Sequence, residues 1–122
     1  ALFFFFFFEA YVCENIDISY IYDRKEIHEK IEFCTLVEKG LSYLVSKSCL
    51  KKNCGLLKAD KEKISQLKLI TQIGSPGFHL CRELGGLGQI FKLKKMQKTL
   101  ETQRCLIGQD FVELSLLVDT YL

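Results

Sequence analysis

From Ile16 the chain alternates: Ile16, Ile18, Tyr20 and Tyr22 fall on one side of an extended backbone, and Asp17 and Ser19 on the other. That period of two is the mark of a half-buried strand. After a polar break at Asp23-Arg24-Lys25-Glu26, the positions Ile27, Ile31 and Phe33 fit either a helix turn or a second strand ending at Cys34. Gly40 then punctuates, and Leu41, Tyr43 and Val45 alternate with Ser42 and Ser46 as a further strand. Cys49 and Cys54 bracket the polar tip Leu50-Lys51-Lys52-Asn53, which reads as a loop or hairpin end.

The second half repeats the same conflict of periods. Lys58 to Lys63 is charged and suits a helix, whereas from Ile64 the residues Leu67, Leu69, Thr71 and Ile73 alternate with Gln66, Lys68 and Gln72 as in a strand. Gly74-Ser75-Pro76-Gly77 reads as a turn, because proline presets one backbone angle and glycine tolerates positive φ. Gly85-Gly86-Leu87-Gly88 is a second break, and Gln89 to Lys98 fits helix and strand about equally. At the end Val112, Leu114, Leu116, Val118 and Leu122 lie in phase, with Glu113, Ser115, Asp119 and Tyr121 between them, and predict a long strand. Composition opposes this picture. Leucine, lysine and glutamate are abundant while valine, threonine and proline are scarce, which by propensity favours a small helical domain. Packing routinely overrides propensity, so the expected class is all-β, with a mostly helical fold as the alternative.

Length and charge narrow the function. A chain of 122 residues makes one domain with a real core. Its 17 basic and 15 acidic side chains leave a net charge of +2, too balanced for the concentrated basic face that nucleic acid demands. Six cysteines are many for a cytosolic chain of this size, and in a secreted one an even number points to a disulfide framework whose connectivity spacing alone does not fix. The run Phe3 to Phe8 has the length and apolarity of the core of an export signal. Residues 1–10 are therefore expected to be a truncated leader, cleaved after Ala10, with residues 11–122 as the mature domain in the extracellular space. A retained apolar N-terminal strand is the competing reading of that run, and an unselected reading frame rich in a simple repeat is a third.

No catalytic constellation emerges. His28 sits among Glu26, Glu29 and Glu32 as part of a solvated face, and His79 has no assignable orienting partner for a nucleophile at Cys81. Cys49 and Cys54 lack the paired CxxC spacing of a zinc site. Gly85-Gly86-Leu87-Gly88 lacks the GxGxxG order of a dinucleotide loop. Lys92, Lys94, Lys95 and Lys98 are the densest basic cluster and read as a solvated face, with attraction to an anionic lipid surface as the functional alternative. The expectation is a binding protein, with neither enzymatic activity, cofactor nor metal.

A set of short islands, in order, resembles the MD-2-related lipid-recognition (ML) proteins. They are a phenylalanine-rich leader ending in Glu9-Ala10, then Val12-Cys13, Ile18-Ser19-Tyr20 with Tyr22 and Asp23, Cys34, Lys39-Gly40-Leu41, Leu50-Lys51, Gly74-Ser75, Phe78-His79-Leu80-Cys81-Arg82-Glu83-Leu84-Gly85-Gly86, and Cys105-Leu106-Ile107. The chain departs from the family in lacking a cysteine beside Asp23 and its C-terminal partner, in lacking an upstream partner for Cys81, and in having Cys49 and Cys54. The resemblance implies an immunoglobulin-like sandwich of two antiparallel sheets around an apolar pocket, and a disulfide between Cys13 and Cys34. It further implies that acylated lipids of the lipopolysaccharide type are held there, with Lys39 at the rim and Phe78 and Leu80 near the pocket. Arg82 would meet a leucine-rich-repeat receptor ectodomain, making the protein a co-receptor of an innate-immune Toll-like receptor.

Overall fold

The computed structural model describes residues 12–60, 62, 64 and 76–122. Six strands and two short helices account for most of them: β1 (Cys13–Tyr22), β2 (Lys25–Glu38), β3 (Leu41–Val45), α1 (Pro76–Glu83), β4 (Leu87–Lys95), β5 (Lys98–Ile107), β6 (Asp110–Glu113) and α2 (Leu114–Tyr121). The fold is mostly β. The leader run, and the strand expected beyond Ile64, lie outside the described residues.

Two antiparallel meanders, β1-β2-β3 and β4-β5-β6, are built on two-residue turns. In three of them, Asp23-Arg24, Lys39-Gly40 and Met96-Gln97, both turn residues have positive φ. That geometry matches the right-handed twist of the flanking strands. The meanders then join at both sides, β1 to β4 and β3 to β6, so all six strands close into one barrel in the order β1-β2-β3-β6-β5-β4. The expected sandwich of two separate sheets is thus replaced by a single closed sheet. The β3–β6 seam has one register pair, Val45 with Val112, and Ser46 extends it. The Ser46 amide donates to the Phe111 carbonyl at 2.8 Å, and the Phe111 amide donates back to Ser46 Oγ at 3.0 Å.

Alternation along the strands feeds two cores on opposite sides of this wall. Inward positions Ile16, Ile18, Phe33, Phe91, Leu93 and Phe111 fill the lumen. Outward positions Cys34, Leu36, Tyr43, Val45, Cys105 and Val112 pack with Leu80 and Cys81 of α1 and with Leu114, Leu116, Leu117 and Tyr121 of α2. Neighbouring residues such as Phe33 and Cys34 are both fully buried for this reason.

Two expectations are corrected here. Pro76 and Gly77 are the first residues of α1, not the centre of a turn. Proline is well tolerated at a first helical position, where its missing amide would be unpaired anyway. The long C-terminal strand stops at Glu113, and Leu114–Tyr121 is helical. Leu117 and Tyr121, which alternation assigns to the polar side, are buried with Leu114 at the i, i+3, i+7 spacing of a helix. Tyr121 also fixes the packing, donating its hydroxyl to the Leu56 carbonyl at 2.7 Å and accepting from the Ala59 amide at 3.1 Å.

All six cysteines are oxidised: Cys13 with Cys34 across the β1–β2 ladder, Cys49 with Cys54 within one loop, and Cys81 of α1 with Cys105 of β5. Three disulfides point to an oxidising environment. Among the described residues no helix is long and apolar enough to cross a membrane.

Candidate ligand-binding site

The β1–β4 seam is short. Its register pairs are Ile18 with Leu93 and Ser19 with Lys92. The next steps would bring Tyr20 to Phe91, Ile21 to Ile90 and Tyr22 to Gln89, yet the β1–β4 ladder stops before them. A cleft of about 610 Å³ opens between them, lined by Tyr20, Ile21, Tyr22, Phe78, Ile90 and Phe91, with Leu87 and Gly88 continuing the wall. That volume lies within the roughly 300–1,000 Å³ of small-molecule sites. Ile21 (70% exposed), Tyr22 (68%), Leu87 (64%) and Ile90 (52%) expose apolar surface there. Exposed apolar residues gathered around one cleft are a feature shared with interaction surfaces.

Local sequence explains how Phe78 reaches the cleft. Helix α1 ends in a Schellman cap: Gly85, at φ +85°, donates to the Arg82 carbonyl at 3.0 Å, and Gly86 donates to the Cys81 carbonyl at 2.8 Å. The chain then turns directly into β4, where the missing side chain of Gly88 leaves room for the Phe78 ring. A β-carbon at Gly88 would lie 2.3 Å from Phe78 Cδ1. The Cys81–Cys105 disulfide pins the same helix to β5.

Charge at the edge of the cleft is mixed, with Glu26 and Glu101 against Lys92. Behind its wall lies Arg104, only 3% exposed. The guanidinium carbon stands 4.8 Å from the Phe111 ring centroid, 5.1 Å from that of Phe91 and 6.0 Å from that of Phe33. Arg104 Nε donates to Gln89 Oε1 at 2.8 Å, and Gln89 itself lines the cleft. Burial lowers the arginine's pKa, while the fields of Glu29 and Tyr20 oppose that shift. Tyr20 donates its hydroxyl to Glu29 at 2.6 Å, and that bond, with burial second, raises the tyrosine's pKa.

The residues singled out from the sequence are dispersed. Phe78 lines the cleft. Leu80 is fully buried in the outer core, because positions two apart on a helix project about 200° apart and the two side chains take different directions. Lys39 sits in the β2–β3 turn beside a separate hollow of about 370 Å³ that also holds Tyr43, Lys52 and Asp119. Arg82 is exposed on α1. Lys92 and Lys94 border a further, polar hollow on the outer face of the barrel with His28 and Lys30. Sequence reasoning missed Arg104, Gln89, Ile21 and Ile90. The signal for Arg104 was its phase: Leu100, Thr102, Arg104 and Leu106 are alternate residues, so a strand that turns Leu106 inward turns Arg104 inward too.

Comparison with known proteins adds no relative: no family model, curated protein or solved structure matches the chain.

Proposed function

We propose that this protein is a non-enzymatic binder of a single-chain amphipathic lipid, working in an oxidising, extracellular setting. The observation that carries the reading is the apolar cleft at the short β1–β4 seam. Burying ten methylenes yields about 8 kcal/mol at roughly 0.8 kcal/mol each. Association costs about 4 kcal/mol or more, so burial of the chain alone leaves at most about 4 kcal/mol, an affinity of about millimolar order. The lumen is filled by its own phenylalanines, with Phe33 and Phe91 stacked at 5.6 Å and Phe33 and Phe111 edge to face at 5.1 Å. One acyl chain along the cleft is therefore the favoured occupant, in place of a bundle of chains inside the barrel.

A titration of the oxidised protein with N-phenyl-1-naphthylamine tests this. Its fluorescence is expected to rise saturably and shift to the blue, and Ile90→Glu is expected to weaken binding at least tenfold while leaving Tm within a few degrees. Absence of binding, or equal binding by Ile90→Glu, would refute the cleft as the site.

A further inference from the structure

We propose that Arg104 is the receptor for the ligand's head group, so that an anionic carboxylate lies innermost in the cleft and the alkyl chain trails outward over Ile21, Leu87 and Ile90. This deepens the reading of the cleft as a lipid site and rests on it. Arg104 is 97% removed from solvent, by its 3% exposure, yet none of the ion pairs among the described residues involves it. Its hydrogen bond goes from Nε to the neutral amide of Gln89; its two Nη groups make none among the described residues, where no fully buried side-chain nitrogen lacks a partner, so they account for the residue's remaining contact with solvent. Three phenylalanine rings offset part of the desolvation through cation–π contact. A buried charge normally holds a hydrogen-bonded counter-charge, and a planar guanidinium presents a fork that fits a carboxylate with two parallel bonds.

The nearby acid does not fill that role. Glu29 receives the Tyr20 hydroxyl at 2.6 Å and acts on Arg104 through its field without forming an ion pair. Gln89 and Phe91 each line the cleft and touch the guanidinium, Gln89 through its hydrogen bond and Phe91 through its ring. Rotation of the flexible Gln89 side chain therefore exposes Arg104 to the cleft, and a carboxylate oxygen takes the place of the amide oxygen on Nε. The rim favours the same resting orientation. Glu26 and Glu101 outnumber Lys92 there and disfavour an anion at the mouth, whereas the only cation within is Arg104 among the described residues that surround the lumen. This inverts the arrangement implied by the family resemblance, in which rim cations hold the head group.

The test compares decanoate with decan-1-ol as competitors of N-phenyl-1-naphthylamine, on wild-type protein and on Arg104→Met, a change that keeps an unbranched, buriable side chain. Wild-type protein is expected to bind decanoate at least tenfold more tightly than decan-1-ol, and Arg104→Met is expected to bind both within a factor of about two. Equal displacement by the acid and the alcohol in the wild type would overturn the head-group assignment while leaving the cleft reading standing, and this arm needs no variant to fold. Persistence of the acid preference in Arg104→Met would place the head group elsewhere. Failure of the probe and both competitors to bind would overturn the cleft reading and the assignment together.

Discussion

Gly86 sits where helix α1, the buried disulfide and strand β5 converge, and replacing it with alanine tests that packing. The added β-carbon would lie 2.4 Å from Cys105 Sγ, 3.0 Å from Cys81 Sγ and 3.1 Å from the Leu106 carbonyl oxygen. Reaching ordinary contact requires roughly 1 Å of displacement at the nearest sulfur. Neither cysteine has free space to move into, since both are fully buried and joined to each other. Overpacking of this kind costs about 1–3 kcal/mol, and the rigid neighbours place it near the top of that range. The stiffer unfolded chain returns about 0.4–1 kcal/mol, leaving a net loss of about 2 kcal/mol. For a domain of this size that lowers Tm by about 8 °C. The decisive control is Gly86→Ala in a Cys81→Ala/Cys105→Ala background. Removing the disulfide, with its sequence separation of 24, should itself cost about 3.5 kcal/mol by loop-closure entropy. Both sulfurs are then gone and only the tight approach to the Leu106 carbonyl remains, so the alanine at position 86 should cost no more than about 1 kcal/mol in urea denaturation. A double-mutant cycle with no coupling, or Gly86→Ala as stable as wild type, would refute the packing.

Three further outcomes follow from the fold. Leu117→Ala should cost about 2–5 kcal/mol and Ser115→Ala under about 0.5 kcal/mol in urea denaturation, because α2 buries Leu117 completely and exposes Ser115. A continuous strand would place both on the polar side, and equal small effects would contradict the helix. Tyr43 donates its hydroxyl to Asp119, and that bond, followed by burial and the carboxylate's charge, pushes its pKa from 10.0 up to about 12. The raised value favours the neutral phenol in the folded state, so its stabilising contribution is complete below pH 10 and is lost as pH rises through about 12. In an ultraviolet titration Asp119→Asn should lower the highest tyrosine pKa; an unchanged profile would sink the pairing. Gly88→Ala forces the Phe78 ring aside and should weaken N-phenyl-1-naphthylamine binding several-fold with a smaller loss of Tm than Gly86→Ala, because a side-chain ring yields more easily than a disulfide.

Much of the barrel was legible because β1 and β3 bury one face cleanly, as at Ile16 and Ile18 and at Tyr43 and Val45. The ambiguity at Ile27 to Cys34 and at Gln89 to Lys98 has a physical cause. Strand β2 passes between two cores, so Phe33 and Cys34 are both buried and the period of two is blurred, whereas β4 alternates at Phe91 and Leu93 and its pattern is obscured by the exposed apolar residues Ile90 and Met96. At the C-terminus the same local pattern supports two periods, and α2 wins because Leu114, Leu117 and Tyr121 together cover the outer core. Closure was not legible, since it depends on the short seams β1–β4 and β3–β6 between residues far apart in sequence. The cleft is a consequence of the incomplete β1–β4 seam and was hidden with it. Of the residues picked for a pocket, Phe78 alone borders the cleft, while Arg104 was passed over, its phase with Leu106 being the mark of its inward position.

The most direct test of the central claim is a map of backbone amide chemical shifts in uniformly labelled, oxidised protein as decanoate is added. The account predicts shifts concentrated on Tyr20 to Tyr22, on Gly88 to Lys92 and on Arg104, with the β2–β3 turn at Lys39 unchanged. Shifts centred on Lys39, Tyr43 and Asp119, or no saturable shifts at all, would contradict it.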